Sequence, residues 1–212
     1  MMRSYIQDLV ECFKSVCESL RRYHSIMSLL SKVLRHLPDE YGMWERPVAT
    51  SLALGLALID SGCVVLGCYL LRYCLEAVIQ LHYFTWLASR RGIPIRELLA
   101  KYSRFGRAFW LKMIRDVPGL PGVYRKQLAR VYIELAHYTH PSTESLALLS
   151  RTGPVPARIS DVARDVVDFV MYFLLHHVDE GSLRDLDPEE FSSLGLTRAA
   201  KYVAKRLRKT SH

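Results

Sequence analysis

The chain has 212 residues, of which 50% are hydrophobic, and its formal net charge is +8. This length predicts one domain, or one domain with a small appendage, with enough apolar residues for a sizeable core. The five cysteines have no C-x-x-C spacing, which argues against a disulfide framework or a zinc finger and predicts a reducing, cytoplasmic compartment. The positive charge favours an anionic partner such as nucleic acid. The absence of Asn, together with many ionic residues, is typical of thermophile proteins.

The N-terminal part of the chain predicts a long helix from about Arg3 to Leu37. Apolar residues such as Ile6, Phe13 and Leu20 repeat every seven residues and form one half of a heptad seam. A helix with such a seam packs along a long partner, which is either the central helix of the same chain or a helix of a second copy. Because charges are spread through the first residues, we do not expect a signal peptide.

Two apolar helices are predicted next. The first has Pro47 in its first turn, where proline is common, and reaches about Asp60; residues 60–62 form a turn, where Asp60 or Ser61 caps the following helix. The second, about 62–90, is apolar around nearly its whole circumference, as expected of a helix central to a core. The combined stretch is long enough to span a membrane, but the turn and two charges interrupt it, so no membrane partner is predicted.

One polar stripe runs along the central helix. Its members fall within about 80° of one another on a helical wheel: Tyr69, Arg72, Glu76, Gln80 and Tyr83. Burying an arginine and a glutamate costs several kcal/mol per ion unless each is paired. We therefore expect Arg72 and Glu76, four residues apart, either to bridge each other or to reach polar groups of a neighbouring helix. The stripe would then line a pocket.

The remaining helices are shorter. They are predicted at about 94–115, 123–139 and 160–178 and from about Thr197, with a long loop at 141–159 and an acidic stretch at 179–190. No alternation typical of strands and no internal repeat occurs. The fold prediction is therefore all-α, a bundle of six or seven helices around the central apolar helix. Residues 1–180 form the bundle, and 181–212 form an acidic linker and a short basic helix packed on it or appended to it.

The fifth predicted helix carries a second polar stripe. Its members are Gln127, Arg130, Glu134 and His137, with His140 one turn further on and the packing side, which includes Tyr124, Leu128, Tyr132 and Leu135, opposite them. One interpretation is a solvated face with an Arg130–Glu134 pair. The other is that this stripe faces the central one, so that Arg72, Glu76, Glu134 and His137 satisfy one another in a pocket.

Two segments carry a resemblance. The central "LLRYCLEAVIQLHYFTWL" followed some fifty residues later by "YIELAHYTHPS" resembles uncharacterised HEPN-like helical proteins of bacteria and archaea, over roughly residues 50–145. These have an Arg-x3-Glu on a central helix, which Arg72 and Glu76 match, and a His near the end of a later helix. Active members of the wider group are metal-independent ribonucleases with an Arg-x(4–6)-His motif. Arg130 and His137 match that motif at its longest spacing, and His140 is the alternative histidine.

The resemblance implies a homodimer and chemistry that needs no metal or other cofactor. A neutral histidine can take the 2′-OH proton, or a protonated one can supply the leaving oxygen, because its pKa lies near neutrality. An arginine can stabilise the charge that develops on the phosphorane. Arg130, His137, His140, Arg72 and Glu76 are therefore the candidate catalytic residues.

Three further patterns have simpler interpretations. Glu134 and His137 have the Glu-x-x-His spacing of di-metal bundles, but no second such motif exists, so no metal site is predicted. The sixth helix has a polar stripe that predicts a solvated face: Asp161, Asp165, Asp168, Tyr172 and His176. The C-terminal helix carries basic residues that serve either as a solvated surface of a docking helix or as nucleic-acid contacts: Arg198, Lys201, Lys205, Arg206, Arg208 and Lys209.

Together these patterns predict a HEPN-like helical protein that binds RNA or a nucleotide as a homodimer, with ribonuclease activity as its stronger form. Two alternatives come from other classes. One is a non-enzymatic protein-interaction module that uses the heptad helix or the polar stripe. The other is a small-molecule pocket between the two stripes.

Overall fold

The computed structural model of the chain describes residues 14–102, 113–140 and 155–210. Within these ranges all regular structure is helical and no strand occurs, which confirms the all-α prediction. The main helices are α1 (His24–Arg35), α2 (Gly42–Asp60), α3 (Val64–Arg91), α4 (Ile95–Tyr102), α5 (Gly122–Thr139), α6 (Ala157–Leu175), α7 (Pro188–Ser193) and α8 (Thr197–Thr210). Short 3-10 turns occupy Asp39–Tyr41 and Ser182–Asp185.

The bundle is arranged around α3, as the apolar sequence of this helix predicts. α3 packs most extensively on α2 and also contacts α5 and α6. In the part of the chain that the structure describes, α3 is the one helix long and apolar enough to cross a membrane, but 56% of its most apolar stretch is buried inside the protein. A glycine with left-handed backbone, Gly92, ends α3 after two arginines, as the sequence indicates.

Two glycines let α2 and α3 approach each other closely. A Cβ atom added at Gly67 would lie 2.6 Å from Cγ1 of Ile59 and 2.7 Å from the carbonyl oxygen of Gly55. A Cβ added at Gly55 would lie 2.8 Å from Cδ2 of Leu71. Since real Cβ atoms do not approach other atoms this closely, the two helices cross with almost no side chain between their backbones.

Replacing Gly67 with Ala is expected to destabilise the protein by about 1–3 kcal/mol, because the new methyl group meets backbone that cannot move without separating the helices. Chemical denaturation followed by circular dichroism measures this loss. Gly42→Ala is the matched control, since nothing lies within 4 Å of its Cβ position. Alanine is favoured over glycine in helices, so this control should be neutral or slightly stabilising. Equal stability of the two variants would contradict the close crossing.

The N-terminal helix differs from the prediction. Residues 14–22 are helical, but a turn at Tyr23 separates them from α1, so the described part of the segment is not one continuous helix. Residues 1–13 lie outside the described ranges. α1 packs mainly on α2 and α6, not on the central helix that we expected as its partner. A heptad pattern predicts an apolar face but does not identify which helix covers it, and a one-residue turn does not interrupt its spacing.

Two predictions around α2 are wrong. The helix begins at Gly42, so Pro47 lies in its second turn rather than its first. Trp44 is buried and anchors the additional turn, which tolerates the loss of the one hydrogen bond that proline removes. Neither Asp60 nor Ser61 caps α3. The Ser61 hydroxyl donates to the carbonyl oxygen of Ala57 at 2.8 Å and so closes α2, and α3 follows Cys63 without a side-chain cap.

The later helices lie close to their predicted positions. α5 begins one residue early, α6 spans residues three earlier than predicted at each end, and α8 begins at Thr197 as predicted. The fourth predicted helix is present as α4 and as helical residues 113–115, and its middle lies outside the described ranges. So does most of the predicted long loop at 141–159. α8 packs on α6 and α7.

Candidate functional site

The polar stripe of α3 is centred on a half-buried ion pair. Nε of Arg72 lies 3.0 Å from Oε1 of Glu76, and the two side chains are only 14% and 19% exposed. The i,i+4 spacing on one helix brings the two charges together without help from another element. The pairing that the sequence predicts is therefore present.

α5 supplies the remaining partners of this pair. Nη2 of Arg72 donates to the hydroxyl of Tyr132 at 2.9 Å, and that hydroxyl donates to Oε1 of Glu76 at 2.7 Å. Nη1 of Arg72 donates to Oγ1 of Thr139 at 3.0 Å. The guanidinium also lies over the Tyr132 ring, with Cζ 4.8 Å from the ring centroid. Two helices thus hold one arginine and one carboxylate in fixed orientations.

His140, directly after α5, completes the cluster. Its Nε2 lies 3.4 Å from Nη1 of Arg72. Because a guanidinium can only donate, Nε2 must be the nitrogen that carries the lone pair in this contact. The ring proton of a neutral His140 then belongs on Nδ1.

The cluster keeps Arg72 charged and Tyr132 protonated near neutral pH. Burial alone would lower the pKa of Arg72, but its hydrogen bonds to Glu76 and Tyr132 and the nearby charges raise it above the usual value. Burial, together with the hydrogen bond to Glu76 and the charge of that group, raises the pKa of Tyr132 to about 12. The phenol is therefore a stable donor to Glu76.

A cleft of about 250 Å³ opens beside this cluster. The described residues that line it are Tyr69, Arg72, Tyr73, Glu76, Thr139 and His140. Tyr69 and Tyr73 stand at its edge, 59% and 49% exposed, on the same face of α3 because they are four residues apart. The cleft therefore combines exposed aromatic rings with a fixed set of donors and acceptors.

No protein-family model matches the sequence, and neither a curated protein nor a solved structure matches it significantly. The HEPN-like resemblance therefore stays a prediction. Function has to be inferred from the contacts and charges of the chain's own residues.

The second polar stripe does not face the central one, contrary to the pocket that we considered. Arg130, 67% exposed, pairs with Asp165 of α6 at 3.3 Å, and Glu134 pairs with Arg158. The predicted Arg130–Glu134 pair is not among the ion pairs of the described residues either. α5 packs against both α3 and α6 and carries polar groups toward each of them. Tyr132, which we placed on the packing side, is the residue whose hydroxyl bonds to Arg72.

Besides Arg72 and Glu76, one of the four other residues that we predicted for the pocket lines the cleft. Tyr69 lines it, whereas Gln80, Tyr83 and Glu134 are not among its described lining residues. Tyr83 packs against the rings of Phe84 and Trp86, further along α3. Of the other candidate residues, His137 is exposed on α5. Tyr73 and Thr139 line the cleft as well, although no pattern in the sequence singled them out.

Within the polar stripe of α6, Asp161 is exposed as predicted, but the N-terminus of α8 covers Asp168, so the stripe as a whole is not a solvated face. The Asp168 side chain, 2% exposed, lies 2.9 Å from Nη1 of Arg198. The same carboxylate accepts the backbone N–H groups of Arg198 and Ala199, the first of α8, at 3.0–3.1 Å. Asp165 and Gln127 hold the other guanidinium nitrogens of Arg198. Arg198 is thus a buried anchor and not a surface cation.

Three histidines meet where α3 passes the end of α6. Nε2 of His82 lies 3.0 Å from the carbonyl oxygen of Pro118, and its Nδ1 lies 3.3 Å from Nε2 of His177. A carbonyl can only accept, so His82 is protonated on Nε2 and a neutral ring accepts from His177. Nδ1 of His176 donates to the carbonyl of Tyr172 at 2.8 Å.

This histidine cluster is not predicted by the sequence, since helical spacing places His176 and His177 on different faces. Both rings instead lie about 5 Å from that of His82, with centroid distances of 5.1 and 5.3 Å. They come directly after the last residue of α6, and the single ring of His82 contacts both. Among the described residues no group of three metal-binding side chains is placed to hold an ion.

The basic residues of α8 divide into two groups. Lys201, Lys205 and Arg208 are exposed on its outer side. Arg206 is partly buried and pairs with Glu180 at 2.6 Å. Of the six basic residues that we considered as nucleic-acid contacts, four are therefore on the surface: Lys201, Lys205, Arg208 and Lys209.

Proposed function

We propose that the protein binds RNA or a nucleotide, with one base held in the cleft beside Arg72 and Glu76. The observation that carries this proposal is the position of two half-exposed tyrosines next to a fixed hydrogen-bonding cluster. Tyr69 and Tyr73 offer ring surfaces on which a base can stack, whatever its identity. A volume of about 250 Å³ lies below the range typical of drug-sized ligands and suits a single ring system.

Electrostatics support the same class of partner. The net charge of +8 attracts a polyanion, and Lys201, Lys205 and Arg208 are available on the surface of α8. The cleft itself holds one cation and one anion, Arg72 and Glu76, and so fits a base better than a phosphate. Each lysine or arginine that contacts a phosphate releases counterions, so the affinity should fall as salt is raised.

Replacing both Tyr69 and Tyr73 with Ala is expected to weaken binding of single-stranded RNA by roughly 5- to 150-fold, because one stacked base contributes about 1–3 kcal/mol. Fluorescence anisotropy with a labelled oligonucleotide at several salt concentrations measures the dissociation constant.

Trp86→Ala is the matched control for this experiment. Trp86 is also an exposed aromatic residue of α3, 37% exposed, but it does not belong to the cleft lining. Its replacement should leave the affinity unchanged. If the unchanged protein binds no RNA or nucleotide at low salt, or if the double variant binds as tightly as the unchanged protein, the proposal is wrong.

Cleavage of the bound RNA is the stronger form of the proposal, and the HEPN-like resemblance supports it. Both Arg130 and His137 are exposed on the outer side of α5, although Asp165 holds Arg130 in this conformation. If these residues supply the phosphate contact and the proton transfer, each single Ala variant should lower cleavage of total RNA by about 100-fold or more. Lys126→Ala, which removes an exposed cation of the same helix, is the control.

Light scattering tests the homodimer that the resemblance implies.

A further inference from the structure

Within the described residues, Glu76 uses one of its two carboxylate oxygens for hydrogen bonds. Oε1 accepts from Nε of Arg72 at 3.0 Å and from the Tyr132 hydroxyl at 2.7 Å. These two donors come from different helices and fix the orientation of the carboxylate. Oε2 has no hydrogen-bond partner among the described residues, and Glu76 lines the cleft. A ligand in the cleft thus meets an acceptor that is already oriented.

The donors of the cluster are mostly occupied. Nε and Nη1 of Arg72 and the hydroxyl of Tyr132 point at protein acceptors, so what the cluster offers a ligand is mainly the Glu76 oxygen. An ionised carboxylate can only accept, which requires a ligand group that donates. A carbonyl oxygen placed there would instead face a negative charge.

We infer that the cleft selects bases that carry an exocyclic amino group, with Oε2 of Glu76 as the acceptor and Tyr69 and Tyr73 as the stacking surfaces. This inference rests on the proposed binding of RNA or a nucleotide. Adenine, cytosine and guanine each present an amino group on their pairing edge, and carboxylates are the usual acceptors for the cytosine amino group. Uracil has no amino group, and its one pairing-edge donor, the N3–H, lies between two carbonyl oxygens that face the negative charge, so uracil is the base that the carboxylate disfavours.

Oligocytidylate and oligouridylate of equal length are the matched ligands, because their bases differ at this group and at the adjacent ring nitrogen. The unchanged protein is expected to bind oligocytidylate about 10-fold more tightly than oligouridylate, because a hydrogen bond to a charged acceptor contributes about that much to the affinity. Oligocytidylate with two methyl groups on each amino nitrogen has lost the donor and should bind as weakly as oligouridylate. This comparison needs no change to the protein.

Glu76→Gln tests the role of the acceptor itself. The amide keeps an oxygen for Arg72 and Tyr132 and puts a donor in place of Oε2, so the preference for cytosine should vanish or reverse. Equal affinities of the unchanged protein for the two strands, tighter binding of oligouridylate, or a preference that persists in the variant would each overturn the inference while leaving RNA binding intact. If neither strand binds, the proposed function fails and the inference fails with it.

Discussion

Replacing Asp168 with Ala is expected to destabilise the fold by about 3–5 kcal/mol, the loss typical of removing one partner of a buried ion pair. The variant leaves Arg198, 8% exposed, with Asp165 as its one remaining charged partner among the residues that the structure describes. It also removes the acceptor of two backbone N–H groups at the start of α8. Urea denaturation measures the loss, and α8 should become more susceptible to proteolysis.

Asp161→Ala is the control on the same helix. Asp161 is 69% exposed and pairs with Arg164 at 3.5 Å, so its removal should change stability by less than about 1 kcal/mol. The double variant Asp168→Leu with Arg198→Leu removes both charges and is expected to be more stable than Asp168→Ala alone. If Asp168→Ala lowers the free energy of unfolding no more than Asp161→Ala does, the buried ion pair does not hold α8 in place.

The stability of the protein is expected to fall as the pH drops below about 6.5, because one buried and two partly buried histidines stay neutral in the native state whereas the same histidines of the unfolded chain take up protons. Burial lowers the pKa of His82, and burial with the neighbouring histidines lowers the pKa of His176 to about 4 and that of His177 to about 3. Between these values and the unfolded value near 6.5, the unfolded chain binds more protons than the native one. The stabilisation is therefore complete above that range and is lost on acidification.

Each unit of pKa difference corresponds to about 1.4 kcal/mol, so the cluster should account for a loss on the order of 3 kcal/mol or more. Denaturation curves recorded at several pH values between about 4 and 7 measure how steeply the free energy of unfolding changes with pH. His177→Gln removes one of the titrating rings and should flatten this dependence, whereas His24→Gln, at an exposed position of α1, should not. Identical slopes in the unchanged protein and the His177 variant would contradict the assignment.

Local signals in the sequence predicted most of the helices. The apolar circumference of α3, the Gly92 stop and the start of α8 at Thr197 are short-range features, and the structure confirms them. The prediction for the start of α2 was wrong because Trp44 packs into the core, and this tertiary contact outweighs the usual preference of a proline such as Pro47 for the first turn.

The site was predicted in part, for a physical reason. Arg72 and Glu76 lie four residues apart on one helix, so their pairing follows from helical geometry alone. The helix that packs on this pair, α5, has polar groups on two sides. A helical wheel shows both sides but does not show which of them contacts α3. Tyr132 has an apolar ring with a hydroxyl at its end. Its position among apolar residues therefore predicted packing and did not indicate that the hydroxyl bonds to Arg72 and Glu76. Two further contacts join residues that are distant in sequence and so leave no periodic pattern: the Asp168–Arg198 ion pair and the His82–His177 hydrogen bond.

The glycine crossing between α2 and α3 has a consequence for the order of folding. The two helices are joined by only three residues, 61–63, and their contacts are among the most local that the bundle makes. Local contacts require little loop closure, so this hairpin is expected to form early, with Arg72 and Glu76 already joined along one helix. α5 would then dock onto a prepared ion pair. Refolding rates of the Gly67→Ala variant report on this order, because a change within an early nucleus slows folding.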